Sequence, residues 1–180
     1  MLLCINIGKQ FETQFKLSVP KNVYYQRIKD PAQSFFKSSE LRFSLHNPYD
    51  CFIFSYPVLF TLELKSVRNS LTFYRDDIAR DGKKHTFNIK KNQLLGLSDS
   101  NKYKGIVSGF VINFRNVNHT YFLSISKAKN LINCIKKRSF NEFDVIAYDG
   151  FLIEQHLIRT RYSYNLRKFI DYYKNIIMEE

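Results

Sequence analysis

YDCFIFSYPVLFTLELKSV, residues 49–67, contains two apolar, β-prone runs on either side of a short turn at Tyr56-Pro57. Runs of this kind around a turn predict a β-hairpin. Side chains alternate between the two faces of a strand, so the second run has one apolar face and one face that carries Glu63 and Lys65. A pair of opposite charges also fits an ordinary solvated strand face, and other parts of the sequence have to distinguish these interpretations.

Asp50 adds a second carboxylate to this hairpin. Asp50 and Glu63 are symmetric about the midpoint between Tyr56 and Pro57, and antiparallel pairing centred there places them opposite each other with Cβ atoms about 5 Å apart. Two carboxylates at that separation need a shared proton or a cation between them. Lys65 lies on the same face as Glu63, so the hairpin predicts an Asp, a Glu and a Lys that converge on one patch.

These three residue types are suited to metal-dependent hydrolysis of a phosphodiester. Carboxylate oxygens hold Mg²⁺ or Mn²⁺, which polarise a phosphoryl oxygen and lower the pKa of a nearby water. A neighbouring lysine can orient the water or offset charge in the transition state. We therefore expect Mg²⁺ as the cofactor, with Mn²⁺ able to substitute. The three cysteines and four histidines are dispersed and predict neither a disulfide framework nor a zinc site.

The charge of the chain indicates the class of partner. Twenty-eight Lys and Arg residues against sixteen Asp and Glu give a net charge of +12 and a pI near 9.6, which favours a polyanion such as nucleic acid. A role in solubility alone is the alternative. The basic residues spread along the whole chain, with local clusters at 83–84, 90–91, 136–138 and 159–167.

The remaining patterns predict one compact α/β domain, 1–180, with a mixed central sheet flanked by helices. No signal peptide or membrane span is evident, so we expect a soluble protein in the cytoplasm of a bacterial or phage-infected cell. The predicted elements are a helix at 8–19, strands at 22–29, 105–115 and 120–126, a helix at 88–103, a helix through Cys134, and a strand followed by a helix within 151–177. Two stretches are predicted to lack core elements, an excursion at about 30–47 and a long loop at 68–88.

Asp50, twelve intervening residues and then Glu63-Leu64-Lys65 resemble the signature of the PD-(D/E)XK nucleases, although Tyr49 precedes the aspartate and Pro48 stands one place further back than in the strict motif. The neighbouring segments make the resemblance more specific. Taken in order, they are similar to the RecU-type Holliday junction resolvases, particularly the shorter phage forms, over roughly residues 8–126. The segments are GKQFETQF, NPYD, LFTLELKS, NIKKNQLLGL, GIVSGFVINF and TYFLSIS.

This resemblance implies a restriction-endonuclease-like fold with a stalk-like insertion and a homodimeric, metal-dependent endonuclease. Such an enzyme resolves four-way DNA junctions during recombination and repair by paired, symmetric nicks. By the same resemblance, Asp50 and Glu63 are metal ligands, Lys65 is the catalytic lysine, Glu12 is an additional acid near the metal, and Gln93 is a polar catalytic residue.

The resemblance also suggests where the chain contacts nucleic acid. The family's stalk, which enters the junction centre, corresponds to about 30–47 here, and Phe35 and Phe36 would offer apolar or stacking surface. Basic side chains in and around the stalk and near the site would contact phosphates. The candidates are Arg27, Lys29, Lys37, Arg42, Arg68, Lys90 and Lys91.

Two other functions are compatible with part of the sequence. A different PD-(D/E)XK endonuclease that acts on linear duplex explains the acids and the charge but not the stalk. A non-catalytic DNA-binding module explains only the charge and should be indifferent to metal. Deletion of 31–47 should abolish junction discrimination in a resolvase and spare nicking in the duplex-specific enzyme.

Overall fold

The computed structural model describes residues 6–28, 47–79 and 85–179. Its strands are β1 (Tyr24–Arg27), β2 (Cys51–Ser55), β3 (Val58–Val67), β4 (Ser70–Thr72), β5 (Ile106–Phe114), β6 (His119–Ser124), β7 (Ser139–Asn141), β8 (Phe151–Ile153), β9 (Gln155–Ile158) and β10 (Arg161–Tyr164). Its helices are α1 (Ile7–Leu17), α2 (Asp76–Ala79), α3 (Lys91–Ser100), α4 (Ile125–Cys134), α5 (Glu142–Ala147) and α6 (Leu166–Glu179).

A six-stranded mixed sheet in the order β1-β2-β3-β5-β6-β8 forms the centre of the fold. β3 and β5 pair in parallel, and the other neighbours in the sheet are antiparallel. Two smaller antiparallel pairs, β4 with β7 and β9 with β10, lie outside it. The prediction of a central mixed sheet flanked by helices is confirmed.

The two faces of this sheet bury separate apolar clusters. Side chains of α1 and α6 pack with Phe60, Leu62 and Leu64 of β3 on one face. Side chains of α3 and α4 pack with Phe110 and Ile112 of β5 on the other face. The apolar face of the second hairpin strand is therefore covered by helices, as its period-2 pattern indicates, and the charged face of β3 looks toward α3.

Local sequence accounts for the ends of the flanking helices. Asn6 caps α1 by accepting a hydrogen bond from Lys9 N at 3.2 Å, and α1 ends three residues before Pro20, which cannot continue a helix. The side chain of Ser124 caps α4 in the same way. These ends fix where α1 and α4 meet the sheet.

The prediction of a long loop at 68–88 is wrong in part, because this stretch contains β4 and α2. Leu71 and Phe73 are fully buried and Ile78 is nearly so, although polar residues surround all three. β4 pairs with β7, which lies far away in the sequence. The C-terminal stretch also has more strands than predicted, since β8, β9 and β10 all precede α6.

Several expectations concern residues outside the described ranges. The predicted stalk at 30–47 falls there except for Asn47, and so do Lys29, Lys37, Arg42 and both phenylalanines of the stalk. Within residues 6–28, 47–79 and 85–179, the helices are too short or too polar to cross a membrane.

Candidate active site

The register of the hairpin brings the two predicted carboxylates together. Ser55 pairs with Val58 and Cys51 pairs with Leu62, so the turn consists of Tyr56 and Pro57. The same register, carried one residue further, places Asp50 opposite Glu63. The symmetric pairing predicted from the sequence is therefore confirmed.

Glu63 is a buried carboxylate, with only 3% of its surface exposed. Its Oε1 atom forms an ion pair with Lys65 Nζ at 2.8 Å. A solvated strand face would leave the glutamate open to water, so this interpretation of the Glu63–Lys65 pair is wrong. Burial makes the identity and charge of the neighbouring groups important, because water cannot screen them.

Gln93 approaches Glu63 from the first turn of α3. Its Nε2 atom donates a hydrogen bond to Glu63 Oε1 at 2.5 Å, and its Oε1 atom accepts one from Lys90 N at 3.0 Å. The start of the helix therefore orients the amide so that its N–H group faces the carboxylate. The prediction that Gln93 points from this helix toward the hairpin is confirmed.

The surroundings of Glu63 raise the pKa of its carboxyl group to about 7. Burial is the main cause, since it disfavours the charged form, and the negative charges of Asp50 and Glu12 act in the same direction. Lys65 opposes the shift and lowers the pKa. The site is therefore one in which additional positive charge would be favourable.

Asp50 is held at the end of β2 by the backbone of the opposing strand. Its Oδ2 atom accepts a hydrogen bond from Leu64 N at 2.7 Å, and its own N–H group donates to Leu62 O at 3.1 Å. Sequence reasoning missed the contribution of the Leu64 N–H group. No sequence signal could have revealed it, because almost every residue has such a donor.

Close packing of α3 against the segment before Asp50 also positions the site. A Cβ atom added at Gly96 would lie 2.3 Å from Pro48 Cβ, which is far inside van der Waals contact. Glycine therefore allows α3 to lie against Pro48. The same helix carries Gln93, so one contact places both Asp50 and the amide donor.

Glu12 and Arg27 form an ion pair at the side of the site. Arg27 Nη2 lies 2.7 Å from Glu12 Oε2, which joins α1 to the edge strand β1. Glu12 is near enough to Glu63 to raise its pKa, as expected for an additional acid in this region. Arg27, predicted to contact phosphate, already has a carboxylate partner, although its side chain is 42% exposed.

Cys51 does not provide a nucleophile for this site. Burial raises the pKa of its thiol well above the ordinary range, and the nearby charge of Asp50 adds to the shift. A thiol in this environment stays protonated, whereas the thiolate is the reactive form. The chemistry available at the site is therefore that of carboxylates, an ammonium group and a side-chain amide.

The donor set fits a hard divalent cation. In the described part of the chain, no cluster of three or more His, Cys, Asp and Glu side chains is arranged to hold a metal ion. Zinc would require such a set of protein ligands, whereas Mg²⁺ commonly binds one or two carboxylates and completes its shell with water and substrate phosphate. Asp50 and Glu63 suit the second arrangement.

The described candidates for nucleic-acid contact lie at different places around the site. Lys90 is exposed and immediately precedes α3. Lys91 is partly engaged, since its Nζ atom lies 3.6 Å from Asp76 Oδ1 and 5.2 Å from the centre of the Tyr74 ring. Arg68 is exposed just beyond the end of β3, five residues along the chain from Glu63. The backbone of Lys90 thus contacts Gln93, which bonds Glu63, whereas Arg68 lies beyond the end of β3.

Comparisons with known proteins give similarities to a prophage protein and to a solved structure. No family model matches the chain. The SPbeta prophage-derived uncharacterized protein YotM of Bacillus subtilis (strain 168) is 30% identical over 135 residues, which cover 74% of this chain and 63% of that protein. The matched region is thus less than two thirds of the length of that relative. The solved structure of Hjc, a Holliday junction resolvase from Archaeoglobus fulgidus, is 12% identical with a TM-score of 0.46, and the match covers 81% of this chain and 95% of that one.

Proposed function

We propose that this protein is a metal-dependent endonuclease that hydrolyses phosphodiester bonds of DNA at the Asp50–Glu63 site. The observation that carries the proposal is the convergence of Asp50, Lys65 and Gln93 on the buried Glu63 carboxylate. The net charge of +12 supports a polyanionic substrate. The resemblance of the hairpin sequence to PD-(D/E)XK nucleases supports the same chemistry.

Each residue has a distinct part in the proposed reaction. Asp50 and Glu63 would hold Mg²⁺, which would supply polarisation of a phosphoryl oxygen and a lower pKa for a neighbouring water. The Lys65 ammonium group offsets negative charge that develops on the phosphate and helps to orient the attacking water. Gln93 keeps the Glu63 carboxylate in one orientation through its N–H group. Glu12, held by Arg27, adds negative charge that favours retention of the cation.

A more specific proposal concerns the DNA structure that is cut. We propose a four-way DNA junction, cut by paired symmetric nicks during recombination or repair, with the protein acting as a homodimer of RecU type. The sequence resemblance over residues 8–126 supports this choice. A junction has approximate two-fold symmetry, and a C₂ dimer would present one site to each of two equivalent strands.

Nicking assays on a junction and on a linear duplex test both the proposed endonuclease activity and the proposed junction substrate. The purified wild type, Glu63→Gln and the control Glu154→Gln are incubated with an immobile four-way junction or a linear duplex, in Mg²⁺, Mn²⁺ or EDTA. Glu154 is exposed and pairs with Lys168 outside the site, so its substitution makes the same chemical change elsewhere. DNA binding is measured on the same samples.

The outcomes separate three functions. Symmetric, metal-dependent nicks in the junction alone, lost only in Glu63→Gln while binding persists, support the resolvase. Metal-dependent nicking of both substrates supports an endonuclease of the same type without junction selectivity. If DNA binds and nothing is cut under any condition, the endonuclease proposal is wrong and the protein is a binding module.

A further inference from the structure

A polar cavity of about 120 Å³ lies between α1, the ends of β3 and β5, and the β9–β10 hairpin. The volume is well above the ~15 Å³ that one water needs, so the cavity has room for a small tetrahedral group. Leu64, one residue after Glu63, packs on the α1 side of the sheet, and Ser66 of the same face lines the cavity. The cavity is therefore separate from the patch formed by Glu63 and Lys65, which faces α3.

Arg115 gives this cavity a positive charge and one buried donor atom without an acceptor in the described ranges. Its Nε atom is buried and forms no hydrogen bond within the described part of the chain. Arginine is always protonated in proteins, and an unpaired buried donor is costly. Among the described residues that line the cavity, none is Asp or Glu, so no carboxylate is present to neutralise the guanidinium group.

The other polar groups in the wall leave further donors available. Tyr162 Oη donates to Asn118 Oδ1 at 2.9 Å, so the Asn118 oxygen is occupied and its NH₂ group can donate elsewhere. Asn113, by contrast, is engaged at both polar atoms of its amide, since it accepts from Ser66 Oγ and donates to Thr120 Oγ1. The side-chain amides of Gln10 and Gln14 complete the polar lining. A guanidinium group with amide donors is a set that suits a phosphate oxygen.

The adjoining hairpin extends the positive charge beyond the cavity. Arg159 and Arg161 are exposed on either side of Thr160, and Thr160 lines the cavity. Tyr162 ties this hairpin to the β5–β6 turn through its bond to Asn118. The basic stretch at 159–167, which the candidate active site does not use, is thereby joined to Arg115 on one surface.

We propose that this cavity binds a phosphate group through Arg115, and that the group belongs to the backbone of a DNA arm lying across the β9–β10 hairpin. The choice of DNA rests on the proposed function, whereas the binding of phosphate does not. The Arg115 surface would be a second phosphate contact, distinct from the phosphodiester that is cut. This second contact would give the β9–β10 hairpin, residues 155–164, a role in holding the DNA substrate.

The first arm of the test uses inorganic phosphate without DNA or metal. Thermal unfolding is followed as phosphate replaces chloride at constant ionic strength. We expect phosphate to stabilise the wild type. It should stabilise neither Arg115→Gln nor Gln10→Glu. Gln10 is exposed on α1, so its substitution should leave the fold intact while placing a carboxylate beside Arg115. Asn175→Asp adds the same charge at an exposed position of α6 and should retain the wild-type response.

The second arm measures affinity for a linear duplex and a four-way junction in EDTA over a series of salt concentrations. We expect Arg115→Gln to weaken binding about 5-fold to 10-fold and to lower the slope of log K against log salt by about one, as loss of one phosphate contact requires. Arg138→Gln removes the same charge from an exposed position that does not line the cavity and should have a smaller effect.

The two arms assign the source of the phosphate. A phosphate response that depends on Arg115, together with weaker DNA binding, supports the full proposal. The phosphate response alone, with DNA affinity unchanged, keeps the phosphate site and overturns its assignment to DNA. If phosphate stabilises Arg115→Gln and Gln10→Glu as it does the wild type, and Arg115→Gln binds DNA as tightly as the wild type, the proposed phosphate site is wrong. Neither arm requires nicking, so the endonuclease proposal can fail while this one succeeds, and the reverse.

Discussion

The Gln93 amide donates a hydrogen bond to Glu63 Oε1, and this contact joins the first turn of α3 to the middle of β3. Lys90 N occupies the amide oxygen at the same time, so the helix start and the carboxylate together define a single orientation of the side chain. Glu63 is consequently restrained by two elements that are far apart in the sequence.

Substitution Gln93→Leu tests the catalytic value of this restraint. We expect the nicking rate to fall roughly 10-fold to 100-fold, because loss of one preorganised donor at an active site has effects of this order or larger. DNA affinity should stay within about twofold, since no charge is removed. The control Gln26→Leu alters an exposed glutamine of β1 and should cut at the wild-type rate. Equal rates for Gln93→Leu and the wild type would contradict a catalytic role for Gln93.

The raised pKa of Glu63 predicts how stability depends on pH in the metal-free protein. The folded state holds the Glu63 proton up to a pKa of about 7, whereas the ordinary value is 4.5. The folded state thus binds more protons between these values, so the stability that Glu63 contributes is fully present below pH 4.5 and is lost as pH rises from there through 7. Glu63→Gln should lack this decline. From pH 5 to pH 8, the unfolding free energy of Glu63→Gln should therefore rise relative to that of the wild type by up to about 3 kcal/mol.

Urea unfolding in EDTA at several pH values measures this difference. Glu154→Gln, which changes an exposed glutamate with a lowered pKa, should not reproduce the pattern. Parallel pH profiles for the wild type and Glu63→Gln would show that Glu63 is ionised throughout this range.

Magnesium should stabilise the protein in a pH-dependent manner. A cation requires the ionised form of Glu63, so protonation below pH 7 competes with it. We expect the Mg²⁺-induced rise in melting temperature to be larger at pH 8 than at pH 5.5 and to be absent in Glu63→Gln. Calorimetric titration on the same samples should give the same order of affinities. A response that is equal in the variant would place the ion elsewhere.

Lys65→Met should separate binding from catalysis. The substitution keeps much of the side-chain volume and removes the ammonium group 2.8 Å from Glu63 Oε1. We expect the nicking rate to fall at least about 100-fold, while DNA affinity changes little. The pKa of Glu63 should rise further, because Lys65 lowers it in the wild type. Lys16→Met, at an exposed position of α1 that is not among the candidate phosphate contacts, is the matched control, and a similar loss in both variants would argue for a general charge effect.

Gly96→Ala should destabilise the protein even though alanine is the better helix former. The added methyl group would overlap Pro48, and the strain is expected to cost about 1–3 kcal/mol. The same change at Gly8 in α1 meets only Asn6 Oδ1 at 3.4 Å, so Gly8→Ala should be neutral or stabilising. Urea unfolding compares the two variants. Nicking by Gly96→Ala should also decrease, because Asp50 and Gln93 would move apart.

The parts of the site that the sequence predicts are those fixed by local patterns. The period-2 alternation of β3 and the symmetry about Tyr56-Pro57 determine the hairpin register, and hence the meeting of Asp50 and Glu63. Contacts between distant segments have no such signal. The approach of Gly96 to Pro48 and the pairing of β4 with β7 depend on tertiary packing.

Residues 68–88 and Arg27 are two further cases in which tertiary packing could not be predicted from local sequence. Leu71 and Phe73 occur among polar residues, so residues 68–88 resembled a loop although these side chains are fully buried. Arg27 has the charge expected of a phosphate contact, but its pairing with Glu12 depends on how α1 packs beside β1.

The two kinds of strand pairing around β3 imply an order of assembly for the site. β2 and β3 are consecutive, so their hairpin can close within microseconds of both strands leaving the ribosome. Parallel pairing with β5 joins residues 47 positions apart, as in the bond from Thr61 to Ser108, and must await synthesis of the later strand. A nascent chain thus presents both carboxylates to water first. The buried environment that raises the pKa of Glu63 arises only when α3 and β5 close over the hairpin.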